Sequence, residues 1–148
     1  MAERVILLVE DNPADVALTV RAMKRANIAN EVVTARDGAE ALDYLFGTGQ
    51  YGGRNPQDLP VVVLLDLKLP KVDGTEVLKR IRGNAVTKNL PVVVLTSSNE
   101  ESDINACYEY NCNSYVRKPV DFNQFAEAVK QLGLYWLVLN EPPFKTKA

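Results

Sequence analysis

Histidine is missing altogether from this sequence: none of its 148 residues is a histidine. This absence excludes Ser-His-Asp and Cys-His catalytic triads, zinc sites built on histidine, and histidine general bases. Chemistry carried by the chain itself must therefore use carboxylates, hydroxyls, lysine or a hard metal ion. A histidine that takes part in it has to be supplied by another protein.

Cysteine, net charge and long apolar runs are also scarce. The two cysteines, Cys107 and Cys112, are too few for a disulfide scaffold and match no zinc spacing. We expect one partly buried thiol, one loop thiol and a reducing, cytoplasmic setting. A formal net charge of −2 predicts no nucleic-acid partner. No apolar run approaches the roughly 20 residues of a membrane span and no secretory signal is visible, so we expect no membrane association.

The sequence does contain a regular alternation of strand-like and helix-like segments. The strand-like runs are apolar with little polar alternation, which is typical of strands buried on both faces; they cover residues 4–9, 31–35, 61–65, 92–95 and 114–116. The first helix begins with Asn12 as N-cap and Pro13 at the first helical position. Further helices are predicted over residues 39–46, 75–82, 101–110 and 123–140. This order predicts an α/β fold, a flavodoxin-like (βα)5 three-layer sandwich with a parallel five-stranded sheet in the order 2-1-3-4-5.

Polar residues follow four of these strands, at the edge where such sheets bind ligands. Glu10 and Asp11 follow the first strand, Asp66 the third, Thr96 the fourth and Lys118 the fifth. Three neighbouring carboxylates repel each other unless a hard cation such as Mg²⁺ binds them. A cation and an ammonium group can together hold a phosphoryl group, and a carboxylate can act as its nucleophile. We therefore predict Asp66 as nucleophile, the acidic pair as metal ligands, and Thr96 and Lys118 as phosphoryl ligands.

Each of these residues also has an ordinary structural interpretation. An acidic pair after a strand often caps a helix, threonine commonly ends strands, and Lys-Pro is a turn signal. A carboxylate directly after a buried strand, such as Asp66, must be hydrogen-bonded, paired or metal-bound. It is the occurrence of all four features in one topology that favours a functional site.

Four motifs of this sequence, LLVEDNPAD, LLDLKLPKVDG, PVVVLTSS and YVRKPVD, resemble those of response-regulator receiver domains. The resemblance implies a phosphoacceptor switch rather than an enzyme, with a sensor histidine kinase supplying the missing histidine. Asp66 would be the phosphoacceptor, Asp11 a direct Mg²⁺ ligand and Glu10 a ligand through water. The backbone carbonyl of Lys68 would complete the protein's ligands, and Mn²⁺ could replace Mg²⁺.

The resemblance implies further roles for residues on the last two strands. Thr96 and Tyr115 would form a coupled switch pair, and the peptide bond between Lys118 and Pro119 would be cis. Asn111 would hold a left-handed turn, which asparagine tolerates.

The segment GTGQYGGRNPQDLP at residues 47–60 and the C-terminal sequence GLYWLVLNEPP carry a narrower resemblance, to the small response regulators of cyanobacterial phytochromes. The first lacks the GxxxxGK[ST] pattern of a phosphate-binding loop and is predicted to be a flexible surface insertion. The domain is expected over residues 1–141 with a short tail over 142–148. We expect a phytochrome as the kinase, and an output through contacts with a downstream protein that the sequence does not identify.

Two other classes of function remain open at this point. A haloacid-dehalogenase-type phosphatase also combines an aspartate nucleophile, Thr or Ser, Lys and Mg²⁺, but it carries a second aspartate two residues after the nucleophile, where this chain has Lys68. An inactive receiver-like binding module would be expected to lack Asp66, Lys118 or part of the acidic pair.

The last predicted helix is apolar around nearly its whole circumference. One stripe suffices to cover the sheet, yet Leu134, Tyr135 and Val138 extend the apolar surface beyond it. We therefore predict a homodimer with these residues at its interface. The alternative is that the insertion around Tyr51 folds over this second face within one chain.

Overall fold

A computed structural model describes residues 5–25, 27–98, 100–118 and 127. The strands are β1 (Ile6–Val9), β2 (Val32–Ala35), β3 (Val62–Leu65), β4 (Val92–Thr96) and β5 (Ser114–Arg117). The helices are α1 (Pro13–Arg25), α2 (Gly38–Phe46), α3 (Gly74–Arg82) and α4 (Glu101–Glu109), with a 3-10 turn at Gly49–Tyr51. The helix predicted over residues 123–140 lies outside the described residues. Within the described ranges, no helix is long and apolar enough to cross a membrane.

The five strands form one parallel sheet in the order β2-β1-β3-β4-β5, which confirms the predicted topology. All residues of β1, β3 and β4 are buried, and this explains why their sequences do not alternate with polar residues. Side chains alternate between two cores. Leu7 and Leu65 pack with apolar residues of α2, α3 and α4, whereas Ile6 and Leu64 pack on the other face with Ala22 of α1.

Helices α2 and α3 each begin one residue earlier than predicted, at a glycine. Glycine has low helix propensity, so the pattern alone placed the starts after it. The helices begin at these glycines because the preceding aspartates act as N-caps. Asp37 accepts a hydrogen bond from the Glu40 amide at 2.7 Å. Asp73 accepts one from the Glu76 amide at 3.0 Å. Gly74 is also required by packing, because a Cβ there would lie 2.2 Å from the backbone oxygen of Asp66.

Two local predictions about turns and caps are confirmed. Asn12 caps α1, its side-chain oxygen accepting bonds from the amides of Ala14 and Asp15 at 2.9 and 3.3 Å. Asn111 has a φ of 56°, in the left-handed region.

The insertion differs from the predicted flexible loop, because it is docked on α2. The ring of Tyr51 meets the ring of Tyr44 edge-on, with centroids 5.1 Å apart, and its hydroxyl donates to Glu40 at 3.1 Å. The Arg54 guanidinium stacks 4.0 Å from the centre of the Tyr44 ring and donates to the Tyr44 carbonyl at 2.6 Å. Aromatic and cation–π contacts therefore hold the segment in place.

The cysteine prediction is corrected as well, because both thiols are buried. Cys107 of α4 is fully buried in the core, and Cys112 is buried despite lying in the turn after α4. Burial raises the pKa of the Cys107 thiol to about 12. Neither side chain has the exposure of a reactive cysteine.

Candidate functional site

Strand register brings the predicted site residues together at the carboxyl edge of the sheet. Val9 pairs with Leu65, so Glu10 and Asp66 leave the sheet side by side. The Asp66 amide extends this pairing by donating to the Val9 carbonyl at 3.0 Å. Thr96 pairs with Arg117 at the end of β4, which places Lys118 one residue beyond.

Asp66 is buried, with 8% of its surface exposed, and both of its carboxylate oxygens are bonded. One oxygen accepts from the Thr96 hydroxyl at 2.7 Å and from the Lys68 amide at 3.3 Å. The other accepts from the Lys118 ammonium at 2.9 Å. Burial by itself would raise the pKa of Asp66, but the bonds from Thr96 and Lys118 outweigh it and lower that pKa below its ordinary value.

An acidic group lies over the sheet edge as predicted. Glu10, Asp11 and Asp66 each offer a carboxylate oxygen, and these oxygens lie within 4.8 Å of one another. Asp11 is exposed, whereas Glu10 is 3% exposed and Asp66 8%. Burial, together with the charge of Asp66, raises the pKa of Glu10 to about 7 against the opposing effect of Lys118. An oxygen-only cluster open to solvent on one side suits Mg²⁺ or Mn²⁺ completed by water.

Lys118 contacts more carboxylates than the sequence predicted. Its ammonium bonds to Glu10, to Asp66 at 2.9 Å and to Asp15 at 2.9 Å, and 10% of its side chain is exposed. Burial alone would lower the pKa of Lys118, but these hydrogen bonds outweigh it and raise that pKa. Sequence reasoning treated Asp15 only as part of a helix start. The available signal was an acidic residue in the first turn of the helix that directly follows Glu10 and Asp11.

Lys68 lies beside Asp66, but its side chain points away from it. That side chain is 62% exposed and forms an ion pair with Asp103 of α4 at 3.4 Å. Only its backbone was predicted to bind metal, and that assignment stays a prediction.

The predicted switch pair lies on adjacent strands and meets at Ser98, which the sequence did not single out as a contact. The Tyr115 hydroxyl donates to the Ser98 carbonyl at 2.8 Å, and the Thr96 hydroxyl oxygen accepts from the Ser98 amide at 3.3 Å. The Ser98 hydroxyl donates in turn to Asp103 at 2.6 Å. A continuous set of hydrogen bonds therefore leads from Asp66 through Thr96 to helix α4.

Two sets of predictions lie outside the described residues. One is the cis bond between Lys118 and Pro119, and the other is the dimer interface at Leu134, Tyr135 and Val138.

The family described as response regulator receiver domain matches residues 6–130. This chain therefore belongs to the response-regulator receiver family, as its motifs predicted. Relatives of this kind are signalling switches rather than enzymes.

Two relatives illustrate the similarity along almost the whole chain. The probable methanogenesis regulatory protein FilR2 of Methanothrix harundinacea is 44% identical over 139 residues, covering 94% of this chain and 87% of that protein. Response regulator Rcp1 of Synechocystis sp. is 41% identical over 134 residues, covering 90% of this chain and 89% of that protein.

Solved structures of response regulators, two of them phytochrome response regulators, share the fold. The bacteriophytochrome response regulator AtBRR is 56% identical with a TM-score of 0.76, covering 95% of this chain and 100% of that one. The phosphorylated cyanobacterial phytochrome response regulator RcpA is 40% identical with a TM-score of 0.88, covering 97% and 100%. The Mn²⁺-bound form of Rcp1 is 39% identical with a TM-score of 0.87, covering 96% and 100%.

Proposed function

We propose that this chain works as a single receiver unit, residues 1–141, that accepts a phosphoryl group on Asp66 from the phosphohistidine of a sensor histidine kinase. One observation carries the proposal: Asp66 is a buried carboxylate held between Thr96, Lys118 and the acidic pair. In the reaction, an Asp66 oxygen bonds to phosphorus while the bond from phosphorus to the histidine nitrogen breaks. Thr96 and Lys118 then donate to phosphoryl oxygens, where the added charge appears.

Glu10, Asp11 and Asp66 supply the carboxylate oxygens that would hold Mg²⁺, with the Lys68 carbonyl as a further ligand. A bound cation of this kind offsets the negative charges that otherwise repel the phosphodonor. The Mn²⁺-bound form of the relative Rcp1 supports a divalent cation here.

The phosphoacceptor assignment is tested with acetyl phosphate and Mg²⁺, followed by intact-mass and peptide mass spectrometry. The parent chain should gain one phosphoryl group on Asp66, and Asp66→Asn should gain none. Asp58→Asn is the matched control, because it removes an exposed aspartate from the insertion. Undiminished labelling of Asp66→Asn would refute the assignment. Full labelling in excess chelator would refute the metal requirement.

Similarity to RcpA and AtBRR supports a phytochrome as the kinase. Phosphotransfer should be faster from an autophosphorylated phytochrome kinase than from a histidine kinase without a phytochrome sensor. Equal rates from both donors would contradict this pairing.

The output is proposed to pass through Thr96 and Tyr115 to a protein partner. A Thr96 hydroxyl drawn to a phosphoryl oxygen would loosen its contact with Ser98 and allow the Tyr115 ring to move. Phosphorylation should shift the Tyr115 ring signals in the NMR spectrum of the parent, but not in Thr96→Ala. Identical shifts in the two proteins would refute the coupling. We also propose that the chain forms a homodimer through residues 134, 135 and 138. The apolar pattern of that segment supports this proposal.

A further inference from the structure

The third partner of Lys118, Asp15, has no place in the site derived so far. The ammonium group has three N–H donors, and three carboxylates accept them: Glu10, Asp66 and Asp15. Asp15 reaches Lys118 from helix α1, its oxygen lying 2.9 Å from the nitrogen. Lys118 therefore has a partner on a rigid helix as well as two partners at the sheet edge.

Asp15 differs from the other two partners because it lies outside the acidic group that could hold a cation. Glu10 and Asp66 belong to the acidic group that could hold a cation, and Asp15 does not belong to the group found among the described residues. When a cation and a phosphoryl group occupy the site, Glu10 and Asp66 are engaged by them. Asp15 alone of the three then remains to direct the ammonium.

The start of helix α1 keeps the backbone of Asp15 in a defined place beside Lys118. Asn12 caps the helix and accepts a bond from the Asp15 amide at 3.3 Å. The position in the first turn also favours a negative charge, since the helix dipole is positive there. A lysine side chain is flexible and loses rotamer entropy when its ammonium group is fixed. An ammonium group that is already fixed by a helix residue loses less entropy when it binds a phosphoryl group.

We propose that Asp15 is a positioning residue: it holds the Lys118 ammonium so that the other two N–H groups face the reacting edge of Asp66. The proposal rests on the proposed function of Asp66. It assigns Asp15 no contact with the phosphoryl group.

Three variants distinguish the positioning of Lys118 by Asp15 from the effect of the negative charge of Asp15 and from the effect of losing an acidic residue in a first helical turn. Asp15→Ala removes the acceptor and the charge, and Asp15→Asn keeps an acceptor oxygen but removes the charge. Glu101→Ala is the matched control, because it removes an exposed acidic residue from the first turn of α4. Thermal melting establishes that each variant is folded before rates are compared.

The first measurement is the rate of Asp66 labelling by acetyl phosphate at saturating Mg²⁺. Asp15→Ala should be slower than the parent by about fivefold to tenfold, the loss expected for one charge-assisted hydrogen bond. Asp15→Asn and Glu101→Ala should stay within about twofold of the parent, since neither removes the acceptor oxygen that positions the ammonium. Equal or faster labelling of Asp15→Ala overturns the proposal, because the charge of Asp15 would then act only by repelling the anionic donor.

The second measurement needs no phosphodonor. The ammonium protons of Lys118, assigned by their loss in Lys118→Met, should give a slowly exchanging NMR signal in the parent and in Asp15→Asn. Asp15→Ala should broaden or lose that signal. An unchanged signal in Asp15→Ala overturns the proposal. A parent chain that takes no label refutes the proposed function instead, while the ammonium signal still decides whether Asp15 positions Lys118.

Discussion

Replacing Lys118 with methionine should destabilise the folded protein by an amount that increases with pH. Methionine has similar length and no charge, so the change removes the ammonium group while leaving most of the packing. The side chains of Glu10 and Asp66 are 4% and 10% exposed, and both would lose their cationic partner. Removing one partner of a buried ion pair costs about 3–5 kcal/mol when the remaining charge stays ionised.

Protonation sets a ceiling on this cost. Each pH unit above the ordinary pKa of a carboxyl group adds about 1.4 kcal/mol to the cost of keeping it neutral. For Asp66, whose ordinary pKa is 3.8, the ceiling is about 5 kcal/mol at pH 7.5 and about 1.6 kcal/mol at pH 5. Glu10 adds less to the cost of the substitution, because its pKa is already raised to about 7 in the parent and protonating it near pH 7.5 costs little. Asp15 stays partly in water, where its charge is screened.

Methionine also removes the cost of burying the lysine charge, which offsets part of the loss. We therefore expect a loss of about 3 kcal/mol at pH 7.5 and about 1 kcal/mol at pH 5. The sign follows from linkage. Without Lys118 the folded-state pKa values of Asp66 and Glu10 rise above those in the parent. The extra instability is therefore absent at a pH where both carboxyl groups are protonated in the parent, and it increases until the pH passes the raised folded-state pKa values of the variant.

Urea unfolding followed by circular dichroism, at both pH values, measures the loss. Lys88→Met is the control: it removes an exposed lysine and should change stability by no more than about 0.5 kcal/mol. Added Mg²⁺ should stabilise Lys118→Met more than the parent, because the cation replaces the missing positive charge. An equal loss at the two pH values, or no loss at either, would refute the reasoning.

Three further predictions address other parts of the chain. Charged residues in place of Leu134 and Val138 should give a folded monomer in analytical ultracentrifugation, and a parent chain that is monomeric at high concentration would contradict the dimer. Cys107, whose pKa burial raises to about 12, should react with iodoacetamide at pH 8 at least about a hundredfold more slowly in the native protein than in denaturant. Gly74→Ala should lower stability by more than about 2 kcal/mol in thermal unfolding, because its Cβ would collide with the Asp66 backbone. Gly53→Ala, where a Cβ meets nothing within 4 Å, should not.

The grouping of the candidate site residues was predictable because the sequence signals that place them are local. Each site residue directly follows an apolar run, and parallel strands present their carboxyl ends at one edge of the sheet. Runs such as VVVLL and VVVL could be recognised as buried strands because they lack polar alternation. The receiver family predicted from the motifs was then confirmed over residues 6–130.

Two contacts that the sequence did not reveal join side chains from different elements of the fold. Asp15 and Lys118 are 103 residues apart, and no sequence period relates a helix turn to the residue after a strand. The docking of Arg54 on Tyr44 likewise depends on a ring in a neighbouring helix, so a glycine-rich composition suggested only a loop.

By itself, the sequence determined the strand order and the position of Asp66, Thr96 and Lys118 at one edge of the sheet, because hydrophobic patterning and connection rules constrain the backbone. Its motifs indicated the family. Only the tertiary structure decided which carboxylates share the Lys118 ammonium, how burial divides the pKa values of Glu10 and Asp66, and that both thiols are enclosed. Those properties depend on distances and solvent exclusion between side chains, and these exist only once the sheet and helices have packed.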